Sequence, residues 1–342
     1  MSLSKHKRKI VLATGLFVLG IIIFVIVLRN ADVEEIITHL EKVSFLKVVG
    51  LVLLSIFIFC FYAFNLKTVL RSYGARINFV KVTILRLIGD SVSYVTPVMY
   101  IGGELMSAYI LKKDHDLPFS KGMASIVLDK MISLTVTIFY LVVGIIIFIV
   151  YFVEDIKILI PTIIVLVASV GFLAFFYRKT WRNQGLLFSL LKVFGLHKIK
   201  FFSNSKENID QFDYQLHYFF KYRRRYFFYA LAIIFTATVV TIGEYKLILY
   251  FLGIDMSLLN IILLRVIFIA STAVPIPGGL GTVEAGQAGY FSLIGLGAST
   301  GVSFILIIRF LQLINVSVGL VMLSIYGFKI FKPPQLANNG NE

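Results

Sequence analysis

Apolar residues in this chain come in long blocks, not in short alternating runs. Blocks at residues 10–28, 48–66, 123–151, 158–177, 226–250 and 302–325 are each 19 residues or longer. A helix rising 1.5 Å per residue crosses a hydrocarbon core of about 30 Å in roughly 20 residues, so the blocks predict six membrane spans. Between the first two, Val33, Ile36, Ile37, Leu40 and Val43 recur at helical spacing among Asp32, Glu34, Glu35 and Glu41. That pattern predicts an amphipathic helix lying at the membrane interface.

Two further apolar segments are interrupted. Residues 79–95 carry Arg86 and Asp90, break at Thr96-Pro97, and resume at Gly102-Gly103-Glu104 as far as Lys112-Lys113. Residues 258–274 carry Arg265 and break at Pro275-Ile276-Pro277-Gly278-Gly279-Leu280-Gly281, and the chain resumes through Glu284 to about residue 296. Proline removes an amide donor and glycine adds backbone freedom, so neither break continues a helix comfortably. Non-helical backbone at membrane depth is tolerated only where protein or a water-filled cavity surrounds it. Each interrupted pair is therefore expected to be a re-entrant helical hairpin, with Pro97, Gly102, Gly103, Pro275, Pro277, Gly278, Gly279 and Gly281 forming the gate backbone.

The two halves repeat. Gly74 to Arg86 and Gly253 to Arg265 are both 12 positions; Arg86 to Val95 and Arg265 to Val274 are both nine; Gly122 to Lys130 and Gly301 to Arg309 are both eight. Arg86 and Arg265 are 179 apart, as are Lys130 and Arg309. A single offset across several spacings indicates a twofold repeat, residues 50–135 and 229–314, within one membrane domain covering 1–342.

Composition agrees with the pattern: 58% of residues are apolar and mean hydropathy is +0.90. The class is an all-α polytopic membrane protein. A net charge of +15 would suggest nucleic acid in a soluble chain; here its placement favours cytoplasmic loops and anionic headgroups, and no nucleic-acid partner is expected. With the basic N-terminus inside and each hairpin counted as not crossing, residues 67–81, 112–121, 178–225 and the C-terminal tail fall inside with nearly all the loop Lys and Arg. Both termini are then cytoplasmic in a plasma membrane, the hairpins enter from opposite sides, and the repeats are inverted. Charge bias alone does not separate hairpins from arms that each cross. Residues 178–225 read as an ordinary basic loop or, through Lys221 to Arg225 and the surrounding aromatics, as an anionic-lipid surface.

Inverted repeats with broken helices are the architecture of secondary transporters, which bind substrate near the midplane. An isolated charge there costs about 2.5–3.5 kcal/mol, so intramembrane ionisable residues need partners or a wet cavity. The candidate substrate-binding residues are Arg86, Asp90, Glu104, Asp129, Lys130, Arg265, Glu284 and Arg309; Glu244 and Lys246 are further intramembrane charges. The cations suit a phosphate, and the carboxylates suit a cationic moiety or a coupling proton. The alternative is that these charges only pair with one another and pin the hairpins.

The arm from Arg265, the Pro-x-Pro-Gly-Gly-x-Gly-x-x-Glu of 275–284 and the Arg309 span resemble the membrane domain of the lysylphosphatidylglycerol synthetase/flippase family. Gly102-Gly103-Glu104 and Asp129-Lys130 resemble its first half, with Lys130 standing where an arginine is expected. The resemblance covers about residues 10–330. It implies a flippase-like fold and translocation of a phospholipid, anionic or aminoacylated, or of a lipid-linked sugar. In full-length members a soluble domain makes the aminoacylated lipid. The chain ends at Glu342 without such a domain, so translocation is the expectation and a separate synthase or a second copy of the chain are the partners left open.

No enzyme motif persists. Gly297-Ala298-Ser299-Thr300-Gly301 has the letters of a nucleophile elbow but not its strand-turn-helix context. His6, His39, His115, His197 and His217 lack metal-ligand spacing, and no phosphate-binding glycine-lysine loop occurs; no catalytic residue, metal or cofactor is expected. A membrane-embedded lysyl- or glycosyl-transferase and a lipid-binding scaffold are the alternatives to a translocase.

Overall fold

Several helix ends in this chain are set by capping side chains or by glycine in a left-handed turn. The computed structural model describes residues 15, 17–29, 31–96, 101–152, 156–182, 185, 206–272, 274 and 276–330. Pro97, Pro275, the beginning of the first expected span, residues 186–205 of the basic loop and the C-terminal tail lie outside the described residues. The helices are α1 (Phe17–Arg29), α2 (Val33–Glu41), α3 (Phe45–Ser72), α4 (Phe79–Val95), α5 (Ile101–His115), α6 (Phe119–Phe152), α7 (Ile156–Trp181), α8 (Lys206–Tyr222), α9 (Arg224–Phe251), α10 (Leu258–Thr272), α11 (Thr282–Leu293) and α12 (Ala298–Ile330), with a 3-10 turn at Pro277–Gly279 before α11.

Asp32 caps α2 by accepting from the amides of Glu34 and Glu35, and Asn78 caps α4 by accepting from Val80. Gly74, at φ 83°, closes α3, and Gly253, at φ 81°, closes α9. Around each, the glycine amide reaches back three residues and the next amide five, the paired bonds of a Schellman-type helix end. The same sequence offset thus ends two helices with the same backbone device.

α3, α6, α7, α9 and α12 each contain a stretch long and apolar enough to cross a membrane. These are five of the six expected spans; of the sixth, the helix Phe17–Arg29 is described. The hairpin arms are shorter. α4, the longest, has 17 residues and α11 has 12, which at 1.5 Å per residue is about 18–25 Å, less than a hydrocarbon core of about 30 Å. This is an all-helical polytopic membrane fold.

The repeat holds in three dimensions. Adding 179 to the bounds of α3 gives those of α9, and adding it to the starts of α4 and α6 gives those of α10 and α12. Packing is exchanged in the same way: α4 lies against α12 and α10 lies against α6, while α3 and α9 pack on each other. α3 and α9 run antiparallel, with Lys47 over Phe251 at one end and Tyr73 beside Phe219, just ahead of α9, at the other. α4 and α12 are also antiparallel. Tyr94 meets Arg309, whereas Gly319 sits against the Leu87 carbonyl and the Ser91 hydroxyl. The base of the α4–α5 hairpin is therefore at the C-terminal end of α12, where Met322, Leu323 and Tyr326 pack with Ile77 and Val82. The α10–α11 hairpin opens at the other end, where four residues lead from α11 into α12. The two hairpins enter the fold from opposite ends, and the end of α4 at Tyr94 meets the tip of the α10–α11 hairpin at Gly278.

One region differs from its reading as a loop. α8 occupies the end of the basic stretch, and Phe212, Leu216, Phe219 and Phe220 on one side of it are buried in the main core with Phe176 of α7. Their spacing is helical, but the charges around them and the aromatic residues on the other face hide the stripe.

Candidate functional site

α4 carries two sets of polar contacts one helical turn apart. At the deeper level, Arg86 donates through Nη1 to Asp129 at 2.7 Å and to the carbonyl of Tyr62 at 3.0 Å, and through Nε to Asp90 at 3.2 Å. Asn65 of α3 donates to the other oxygen of Asp129 at 2.6 Å. Arg86 and Asp129 are both buried. The same arginine lies 5.4 Å from the ring centre of Tyr62. A cation at this depth is thus fully compensated, as the low dielectric requires.

Asp90 bridges outward. It also accepts from Lys130 Nζ at 2.7 Å, and Lys130 stands 3.8 Å from Glu104. Lys130 and Asp90 are about 40% exposed, unlike the pair beneath them. Glu104 is held more loosely, with the Ser93 hydroxyl at 3.4 Å as a further contact. The cluster counts two cations, Arg86 and Lys130, against three carboxylates, so it carries an excess negative charge. It lines a cleft together with Gly89, Gly103, Ser107 and Ile126, whose free volume of about 20 Å³ holds one water molecule and no headgroup. The cleft is narrow because the hairpin arms touch through glycine: a Cβ on Gly103 would run into the Gly89 carbonyl, and one on Gly89 into the Ser107 hydroxyl.

In the second half the tip of the hairpin is built around Arg309. Its Nε donates to Glu284 at 2.7 Å, Nη2 to Glu284 at 3.3 Å and to the Gly279 carbonyl at 3.0 Å, and Nη1 to the Gly278 carbonyl and to Tyr94. All five guanidinium N–H groups are engaged. Glu284 also accepts from the Gly281 amide at 2.7 Å, fixing the start of α11. Gly278 and Gly281 have φ of 60° and 79°, which only glycine adopts readily. A Cβ on Gly278 would press into the ring of Tyr94, 2.9 Å away. α1 closes the outside of this tip: Gly20 and Gly281 are in backbone contact, and a Cβ on Gly20 would lie 2.9 Å from the Leu280 carbonyl oxygen.

Arg265, the repeat mate of Arg86, has a different setting. Positions equivalent to Asp90 and Asp129 hold Ile269 and Ile308. Its Nη1 donates to the Tyr245 hydroxyl at 3.2 Å, and the rings of Tyr245 and Phe268 lie 5.8 and 5.6 Å away. Among the described residues its Nε has no hydrogen-bond partner, and neither has Oε1 of the buried Glu244 nearby. Glu244 is itself the repeat mate of Asn65. Across the repeat, then, the carboxylate for the arginine has moved from the long helix to the preceding span, and the bonding is left incomplete.

Of the residues singled out in the sequence, Arg86, Asp90, Asp129, Lys130 and Glu104 form one cluster and Glu284 and Arg309 form the tip of the other hairpin. Arg265 stands apart from both. Glu244, a further intramembrane charge in the sequence, lies near Arg265. Tyr94 and Asn65 complete the contacts of the two clusters. Asn65 was findable by applying the 179-residue offset to Glu244; Tyr94 has no such signal, being one tyrosine among 17.

No curated protein and no solved structure gives a significant match to the chain. The family described as the lysylphosphatidylglycerol synthase TM region matches residues 10–319 of the 342. With an all-helical membrane fold repeated about two opposed hairpins, this protein belongs to the family of lysylphosphatidylglycerol synthase transmembrane regions.

Proposed function

We propose that this protein moves the headgroup of a phospholipid such as lysylphosphatidylglycerol, or of a lipid-linked sugar, between leaflets along the line where the two hairpins meet. The observation that carries the reading is that the end of α4, at Tyr94, and the tip of the opposed hairpin, at Gly278, converge on the buried Arg309–Glu284 pair. Helical breaks of this kind in inverted halves are where transporters bind polar cargo. A cleft with room for a single water makes the conformation a closed one, and admission of a headgroup requires the tips to part.

Within this reading the charges divide by how fully they are bonded. Arg86, Asp129, Arg309 and Glu284 hold the hairpins. Arg265, whose Nε has no partner among the described residues, takes the phosphate; Glu104, the least engaged carboxylate beside Lys130, takes a cationic group of the headgroup or a coupling proton. The basic face is cytoplasmic by the positive-inside rule, in the cell membrane, with both termini on that side. A separate synthase supplies an aminoacylated lipid if that is the cargo. The test is leaflet exchange of labelled lipids in proteoliposomes, comparing wild type with Arg265→Ala and Glu284→Ala. Faster exchange in wild type than in both variants supports the reading. Equal rates in all three overturn the residue assignment, and absence of exchange over a broad lipid panel overturns translocation.

A further inference from the structure

The face of the fold where α3 ends and α4 begins carries a cleft that the hairpin site does not use. Lys67 and Arg71 from the last turns of α3, Arg76 and Asn78 from the turn, Phe79 of α4 and Tyr226 of α9 line a hollow of about 740 Å³. That is the size of a small-ligand site. No Asp or Glu lines it, and Lys67, Arg71 and Arg76 make no ion pair among the described residues. The Lys67 ammonium lies 5.5 Å over the ring of Phe79. A smaller hollow on the other side of Gly74 adds Lys121, Arg223 and the hydroxyl-bearing Tyr214 and Tyr218.

The repeat provides an internal control for why these charges are there. The equivalents of Lys67, Arg71 and Arg76 in the second half are Lys246, Tyr250 and Asp255. The backbone turn is the same, closed by Gly253 as by Gly74, so the fold itself does not require three cations at this place. A general inward bias of basic residues would be met by cations anywhere in the connecting segments; here three of them converge on one cleft. Phe79 and Tyr226 stand at its rim, and Val80, Phe228 and Tyr229 next along the chain are exposed apolar or aromatic side chains. Aromatic residues at a span end mark headgroup depth, so the cleft opens where lipid phosphates lie and acyl chains can run down the neighbouring apolar surface.

We propose that the cleft formed by Lys67, Arg71, Arg76, Phe79 and Tyr226 is a headgroup site for an anionic phospholipid, separate from the charges between the hairpins. It does not depend on translocation, since it is a matter of equilibrium binding. The test uses the full chain purified in detergent, loaded with phosphatidylglycerol or phosphatidylcholine, with retained lipid read by native mass spectrometry. Wild type retains phosphatidylglycerol over phosphatidylcholine. The triple variant Lys67→Gln/Arg71→Gln/Arg76→Gln weakens that retention roughly a hundredfold, the effect of three cations at the headgroup plane. The variant Lys221→Gln/Arg224→Gln/Arg225→Gln, on the exposed basic run, keeps it. Should the first triple variant fail to elute as a folded species, Arg76→Gln alone, in the exposed turn, is read in its place with roughly fivefold weaker retention expected. Equal retention of the two lipids by wild type overturns the proposal, as does an equal loss in both triple variants. Displacement of bound phosphatidylglycerol by inorganic phosphate alone would reassign the cleft to free phosphate and overturn the lipid.

Discussion

Tyr94, one residue from the end of α4, accepts a hydrogen bond at 3.3 Å from Arg309 of α12, and its ring covers Gly278 at the tip of the opposite hairpin. One side chain therefore touches both the ion-paired arginine of the second half and the backbone that this arginine holds. Because Arg309 has four other acceptors, the bond to Tyr94 is the one contact of its guanidinium that joins the two hairpins and not the parts of one.

Tyr94→Phe should keep the fold and lose only that bond, worth about 0.5–1.5 kcal/mol. If tip separation limits exchange, the variant moves lipid severalfold faster than wild type in proteoliposomes while its thermal midpoint falls slightly. A slower variant would mean that the phenol handles the headgroup instead of latching the tips.

Glu284→Gln leaves Arg309 buried without its counter-charge. Breaking one member of such a pair typically costs about 3–5 kcal/mol, more than the net worth of the pair itself. Thermal unfolding in detergent should show a large loss for Glu284→Gln and a partial recovery in Glu284→Gln/Arg309→Met. Additive losses in this double-mutant cycle would show the two residues to be uncoupled.

The two repeat-related arginines should behave differently. Arg86→Gln leaves the buried Asp129 without its counter-charge and Asp90 with Lys130 alone, and is expected to destabilise the fold by about 3–5 kcal/mol. Arg265→Gln removes one hydrogen bond and two ring contacts, about 1–2 kcal/mol, and its main consequence is loss of lipid exchange. Thermal midpoints and exchange rates measured side by side check this; an equal fall in stability for both would mean that Arg265 has a partner role like that of Arg86.

Glycine to alanine changes separate close approach from mere helix content. Gly103→Ala forces the hairpin arms apart against the Gly89 carbonyl and should cost about 1–3 kcal/mol. Gly243→Ala in α9 meets nothing within 4 Å and should gain about 0.5–1 kcal/mol from helix propensity. Opposite shifts of the melting temperature are the expected outcome, and a neutral Gly103→Ala would mean that the arms are not in tight contact.

Much of this was legible in the chain because burial in a membrane leaves few patterns. Apolar length marks the spans, proline and glycine mark the hairpin tips, and the Arg86–Arg265 and Lys130–Arg309 spacings mark the repeat. The α4 and α10 starts fall at the residues where the apolar arms begin, since Asn78 and Ser257 precede them. The buried stripe of α8 was less visible, because Phe212, Leu216, Phe219 and Phe220 are embedded among charges and further aromatics that face outward.

The sequence by itself determined an all-helical membrane protein, its two halves and the set of charged residues inside it, because length, backbone breaks and the cost of intramembrane charge are local or additive properties. Only the tertiary structure decided which charges meet. Arg309, the repeat mate of Lys130, closes on Glu284 and the glycine carbonyls and not on a counterpart of the Lys130 cluster; Arg86 and Arg265, alike in spacing, differ in partners because Asp90 and Asp129 are replaced by Ile269 and Ile308. Partner choice depends on the distance between helices far apart in the chain, and no periodicity encodes that distance.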